Sequence, residues 1–311
     1  MPHPVALGAG AHDLRGHVQR TLQALRSAAM TRSTIAPRVG PTLAERAGAT
    51  RFGAELRSWR QRRGMSQERL ADHAEVSTRH LSCLETGRAT PSRDMVLVLA
   101  SALELPLRER NQLLSAAGFT GAYREEALDG PAMRSLDHAI SQLLDKLEPF
   151  PAVVVDRGWN VVRMNVGASR FLPLFLPPSA PKEVASNMVR AVVHPLGCRP
   201  YLVNWEEVVR AVVERARHEA AKDAEGSPRR RLLEEALSYP DVKSALRHPS
   251  AGALLPFVPL HVRSNGIEAR FFTMLTTIGT PLDVTAEELS IEAYFPADDA
   301  TRALMKRLGP S

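Results

Sequence analysis

The 311-residue chain has little cysteine, no long apolar run and no glycine-rich phosphate loop. Its two cysteines, Cys83 and Cys198, cannot build a disulfide framework, and the simplest expectation is a reducing, cytoplasmic setting. The longest nearly apolar stretch, Ala251 to Leu260, carries Pro256 and Pro259 and is too short to cross a bilayer, so no membrane role is expected. No apolar segment follows a basic start at the N-terminus, which argues against secretion. Gly8-Ala9-Gly10 has no strand before it and lacks the third glycine of a dinucleotide loop. Gly167-Ala168-Ser169-Arg170-Phe171 lacks the second glycine of a nucleophile elbow. His194 and Cys198 lie four apart beside prolines with no second pair, too few ligands for structural zinc. No nucleophile–base pair stands out over 135–311. These absences argue against an enzyme, a cofactor and a bound metal.

What the chain does have is an uneven charge. The net +6 divides into +4 over residues 1–50, +3 over 51–120 and −1 over 121–311. A basic N-terminal part suits an acidic partner, with nucleic acid first; a basic solvated surface is the plainer alternative. The length suggests two domains, at roughly 150 residues each. Residues 1–50, rich in small residues, proline and arginine, read as a poorly ordered extension, with a short amphipathic helix on Leu14, Val18, Leu22 and Leu25. Met30 is a second candidate start.

Residues 51–118 read as five short helices. Phe52, Leu56 and Trp59 share one face of the first. Ser66 and Ser77 suit the N-caps of the second and third, and Pro91-Ser92 opens the fourth. Pro106 precedes the fifth helix and Gly118 ends it. Residues 119–134 form a linker. The domain that follows, 135–305, opens with a helix striped by Leu136, Ile140, Leu143, Leu144 and Leu147, the natural transmitter between domains. Ala152–Val155 and Trp159–Arg163 then read as a hairpin, followed by helices near 165–172, 183–193, 204–222 and 228–238. Strands return at 257–263, 267–276 and 289–295, the first two joined by Asn265-Gly266, a strong hairpin signal. The predicted architecture is mixed, a five-helix N-terminal domain followed by an α+β domain with helices on one face of an antiparallel sheet.

The stretch from Arg60 to Ser92 carries the chemistry. Two short helices meet at a tight turn. Ala71 and Ala74 permit close approach, Val76 plugs the turn, and Leu81 and Leu84 fasten the third helix inward. That is helix-turn-helix geometry, and it leaves Thr78, Arg79, Ser82 and Cys83 facing out. A helix so presented fits the major groove. The pattern S-Q-E-x-L-A…V-S-x-x-x-L-S-x-L-E-x-G-R-x-x-P-S resembles the DNA-binding domain of the XRE family, relatives of the lambdoid phage repressors. The resemblance covers about 60 residues. It implies that Gln67, Ser77, Thr86 and Arg88 contact the DNA backbone and that Thr78, Arg79 and Cys83 read bases. The guanidinium fork of Arg79 suits guanine O6 and N7, whereas Cys83 offers an apolar contact at most. Glu75 stands where the family usually has glycine. A left-handed residue there is strained, and its acid opposes phosphate, so binding is expected to be weakened.

A second resemblance covers about residues 135–305. His194-Pro195-Leu196-Gly197-Cys198-Arg199-Pro200 and Asn204-Trp205-Glu206 resemble the H-P-x-G-x-R-P…N-W-E segment of the MmyB-like ligand-binding domain. Val161–Asn165, Thr276–Val284 and Ile291–Pro296 support it. The resemblance implies a PAS-like fold enclosing a small apolar ligand such as a fatty acid. The sheet face offers Val153, Val155, Val161, Phe257, Val258, Leu260, Phe271, Met274 and Leu275 to such a pocket or simply to the core; Arg199, Phe257, Phe271 and Met274 are the candidate ligand residues, Arg199 for a carboxylate. The combined expectation is a ligand-responsive regulator that binds double-stranded DNA as a homodimer, with two recognition helices ~34 Å apart on a palindrome. The alternatives are a C-terminal domain serving only as a dimerisation or protein-interaction platform, and an enzyme carrying an autoregulatory DNA-binding domain.

Overall fold

The computed structural model describes residues 43–247 and 257–308. The helix read over Leu14–Leu25 lies outside them. The N-terminal helices are α1 (Leu43–Arg62), α2 (Gln67–His73), α3 (Thr78–Glu85), α4 (Arg93–Ala102) and α5 (Leu107–Ala116). The first begins at Leu43, earlier than residue 51, and the irregular stretch expected up to residue 50 therefore stops short; Ala49 is already buried on the helix. Serine caps set the other starts. Ser66 Oγ accepts from the Arg69 N–H, Ser77 from His80 and Ser92 from Met95. Phe52, Leu56, Leu70, Leu81, Leu84, Leu99 and Leu113 fill one core. Gly53 is required there, because a Cβ would sit 2.4 Å from the Leu84 carbonyl oxygen.

The C-terminal part opens with α6 (Arg134–Lys146) and is built on strands β1 (Ala152–Val155), β2 (Val161–Met164), β3 (Leu260–Ser264), β4 (Ile267–Thr277) and β5 (Ser290–Pro296). All pair antiparallel in the order β2-β1-β5-β4-β3. The β3–β4 turn is Asn265-Gly266, both at positive φ, as a two-residue type I′ hairpin demands. Trp159 is not in the second strand as read from sequence. It occupies the turn before it at φ 60, where Asp156 Oδ1 accepts from the Gly158 and Asn160 N–H groups.

Between β2 and β3 come α7 (Val166–Phe171), α8 (Lys182–Ala185), α9 (Met188–Val193), α10 (Trp205–Ala220), α11 (Pro228–Ser238) and α12 (Pro240–Arg247). Short α13 (Val284–Glu288) precedes β5, and α14 (Asp299–Leu308) follows it. The sheet is covered on both faces, not one. Val153, Val155, Phe271 and Tyr294 face the large helical layer that includes α9 and α10. Ala152, Val154, Ile291 and Ala293 face α6 through Ile140 and Leu144. Helix α6 thus lies on this second face, and the N-terminal helices also touch the C-terminal part through the β1–β2 turn, the α10–α11 loop and α13.

Candidate DNA interface and effector cavity

Helix α3 is two-sided. Leu81 and Leu84 are fully buried, whereas Thr78, Arg79 and His80 are exposed and Cys83 is half-buried. Among the described residues, the Arg79 and Arg88 guanidinium groups have no ionic or hydrogen-bond partner. Ser77 and Thr86 flank the helix. Ser77 spends its oxygen on the N-cap, while Thr86 donates to the Ser82 carbonyl at 2.8 Å. Gln67, at the start of α2, donates from Nε2 to Glu85 Oε2 at 2.8 Å. One amide proton remains for an outside acceptor. Glu85 is in turn gripped by both ends of the Arg60 fork, at 2.6 and 2.9 Å. The Arg60–Glu85 pair therefore orients Gln67, a role missed from sequence because its partners lie 25 residues apart. Glu75 takes φ 53, the strained conformation expected of it.

A cavity of about 210 Å³ lies between the sheet and α9–α10. Val189, Val192, Val208 and Val212 form its apolar wall, and Leu260, Thr273, Leu275, Glu292 and Tyr294 rise from the strands. Trp159 and Arg215 close one end, with the Arg215 guanidinium 5.0 Å from the Trp159 ring. None of the four residues read from sequence as ligand contacts lines it. Phe271 is fully buried core against Phe171 and Tyr294. Met274 sits opposite Ala293 on the α6 face, one residue out of phase with Leu275 opposite Glu292. Phe257 packs against Phe272 on β4, which turns its side chain to the same face as Met274. Arg199 is ion-paired to Asp241 and lies 4.2 Å over the Trp205 ring, outside the cavity. The signal that could have found the site is Glu292, an acid on the inner face of a central strand.

Carboxylates and guanidiniums run unbroken from the cavity to the N-terminal helices. Arg215 meets Glu292 at 3.5 Å and Glu219 at 3.2 Å. Arg229 meets Glu219 at 3.4 Å and Asp223 at 3.3 Å. Arg157, on the β1–β2 turn, holds Asp223 at 3.0 Å, Glu288 at 3.1 Å and Glu109 of α5 in a tight contact. Arg108 of α5 bonds Glu288 at 2.6 Å and Glu125. Burial pushes the Glu109 carboxyl above its usual range, with Arg157 opposing. Burial likewise pushes up Glu292, against the pull of Arg215, and raises the Tyr294 hydroxyl.

Elsewhere, burial pushes the Cys198 thiol up to about 12, and His194 Nδ1 accepts from the Leu196 N–H. Among the described residues no group of three or more His, Cys, Asp or Glu could hold a metal, and no helix is long and apolar enough to cross a membrane.

Comparison with known proteins fits both halves. Residues 51–113 match a helix-turn-helix domain, and residues 136–308, more than half of the chain, match the MmyB-like transcription regulator ligand binding domain. No curated protein matches the chain. Among solved structures, the clp gene regulator ClgR from C. glutamicum is 29% identical over 25% of this chain and 92% of its own, with a TM-score of 0.21. An RNA-binding light-oxygen-voltage receptor is 14% identical over 97% of this chain and 67% of its own, with a TM-score of 0.23. Neither TM-score indicates a shared overall fold. The matched domains are DNA-binding and ligand-binding modules of transcription regulators and are not enzymatic. A two-sided helix in helix-turn-helix geometry, joined to a domain that family models assign to effector binding, is the build of a transcription regulator, and this chain belongs to the MmyB-like transcription regulators.

Proposed function

We propose that this regulator reads a specific DNA element through an XRE-type domain over 51–118, joined by a linker at 119–134 to an effector-binding domain over 135–305. Thr78, Arg79 and Cys83 face base edges, and Gln67, Ser77, Thr86 and Arg88 face phosphates. The exposed, unpartnered Arg79 on a helix pinned by Leu81 and Leu84 is the observation that carries this reading. The protein acts in the cytoplasm as a homodimer on a palindrome, with half-sites about one turn, ~34 Å, apart. Selection of bound fragments from a random DNA library, followed by anisotropy titration, tests it. A palindromic consensus whose preference relaxes at one base pair on Arg79→Ala supports the reading; equal affinity for all sequences overturns it.

The effector is small and mostly apolar, held in the cavity between the sheet and α10. The apolar wall and the convergent polar end of that cavity support this. A fatty acid is the ligand the family resemblance implies. At about 210 Å³ the cavity is smaller than the ~300–1,000 Å³ of typical ligand sites, so a long acyl chain would be only partly enclosed. Mass spectrometry of molecules released from the denatured protein, against a delipidated control, tests occupancy. An empty protein with no thermal response to lipids returns the domain to an interaction platform.

A further inference from the structure

We propose that the effector carries a protonated amine and that Glu292 is the residue selecting it, an assignment that rests on the cavity being the effector site. At the polar end Arg215 is shared by Glu292 and Glu219, and Arg229 by Glu219 and Asp223, while Asp223 has Arg157 as a second cation. Arg215, the cation on the cavity wall, is thus already engaged twice, and Arg229 Nε is buried without a hydrogen bond. A ligand carboxylate would have to share Arg215 with two acids already on it, and like charges in one buried site repel. An ammonium meets the opposite situation. Glu292 is buried, its cation Arg215 is 3.5 Å away, beyond good hydrogen-bond length, and Glu219 works against its ionised form.

The walls agree with the charge. Trp159 and Tyr294 both line the cavity, and Tyr294 neighbours Glu292 along β5. An ammonium beside Glu292 would lie near aromatic faces, which attract cations. Its apolar tail would run along Val189, Val208 and Val212. Burial that pushes the Glu292 carboxyl up is relieved when a cation arrives, so the acid favours a cationic head over an alcohol of the same size.

The test uses the full-length protein and three probes with one tail: octylamine, octanoate and octan-1-ol, titrated calorimetrically at neutral pH. Octylamine should bind at least tenfold more tightly than either of the others. Glu292→Gln should erase that advantage while octanol affinity stays within twofold, and Glu292→Asp should restore part of it, which a merely structural role would not do. Thermal unfolding of each variant checks the fold. Octanoate binding as tightly as octylamine, with its affinity lost on Arg215→Met, overturns the proposal and favours an acidic effector. Equal binding of amine and alcohol, unchanged by Glu292→Gln, also overturns it and leaves the effector cavity standing. If none of the three binds, both the amine and this cavity as the effector site are rejected.

Discussion

The arginines of the proposed DNA-facing surface and those between the N-terminal helices and the sheet domain have opposite surroundings. Arg79 and Arg88 are exposed and, among the described residues, unpartnered. Arg157 is 6% exposed and holds three carboxylates from three different elements. The same side chain thus serves two ends. A free fork is kept for an outside anion, whereas a saturated one ties Glu109 of the N-terminal helices to Asp223 and Glu288 of the sheet domain. The difference teaches where each should be sensitive. The interface arginine is expected to govern stability and the join between domains, and the surface arginines DNA affinity without effect on the fold.

The sharpest way to break this contrast is Arg157→Ala. It leaves Glu109 buried without its cation and Asp223 with Arg229 alone, and breaking a buried pair on one side typically destabilises by ~3–5 kcal/mol. Urea unfolding should show that loss, and amide exchange should rise in α5. No change in either would mean that the N-terminal helices dock without this charge cluster. Glu109→Gln sharpens the same point through pH. The folded protein holds the Glu109 proton more tightly than the unfolded chain does, because burial raises its carboxyl above 4.5. This group's contribution is therefore fully present below its unfolded pKa and is lost as pH rises through the folded value. The variant should therefore lose less stability than wild type as pH rises above the unfolded carboxyl range.

The surface pair should respond differently. Arg79→Ala should weaken operator binding by ~1–3 kcal/mol and relax preference at one base pair. Arg88→Ala should weaken all sequences alike and lower the slope of log affinity against log salt by about one. Neither should shift the melting temperature measurably, since neither side chain has a described partner to lose. A uniform loss for Arg79→Ala would reassign it to phosphate contact.

The two regions also differ in how far sequence exposes them. The caps at Ser66, Ser77 and Ser92, the inward Leu81 and Leu84, and the left-handed Glu75 are local features, set within a few residues, and were readable. The cavity was not. Met274 and Leu275 are equally apolar neighbours, and only the register against Ala293 and Glu292 says which one faces inward. Arg199 looked free to meet a carboxylate until the fold placed Asp241 against it from another helix. Arg157 reads as an ordinary turn residue, because its partners are 48, 66 and 131 positions away. Trp159 reads as strand because it is apolar; the Asp156 side chain, which fixes the turn, decides otherwise.

Glu75→Gly carries the smallest effect and bears on both regions' logic, since it alters stability and DNA affinity at one position. Glu75 holds φ 53 between α2 and α3, where a Cβ is strained by roughly 1–2 kcal/mol. Glycine relieves the strain but loosens the unfolded chain, which offsets part of the gain. The net should be a stabilisation of under about 1 kcal/mol, visible as a small rise in urea midpoint with an unchanged slope. The acid is also exposed on the turn leading into α3, so its removal takes a negative charge from beside the proposed phosphate path. DNA affinity should therefore rise a few-fold at low salt, and the gain should fade as salt screens it. A stability gain without an affinity gain would place the turn away from the DNA, whereas a loss of both would mean that the Glu75 side chain, through its own contacts, holds the turn in shape.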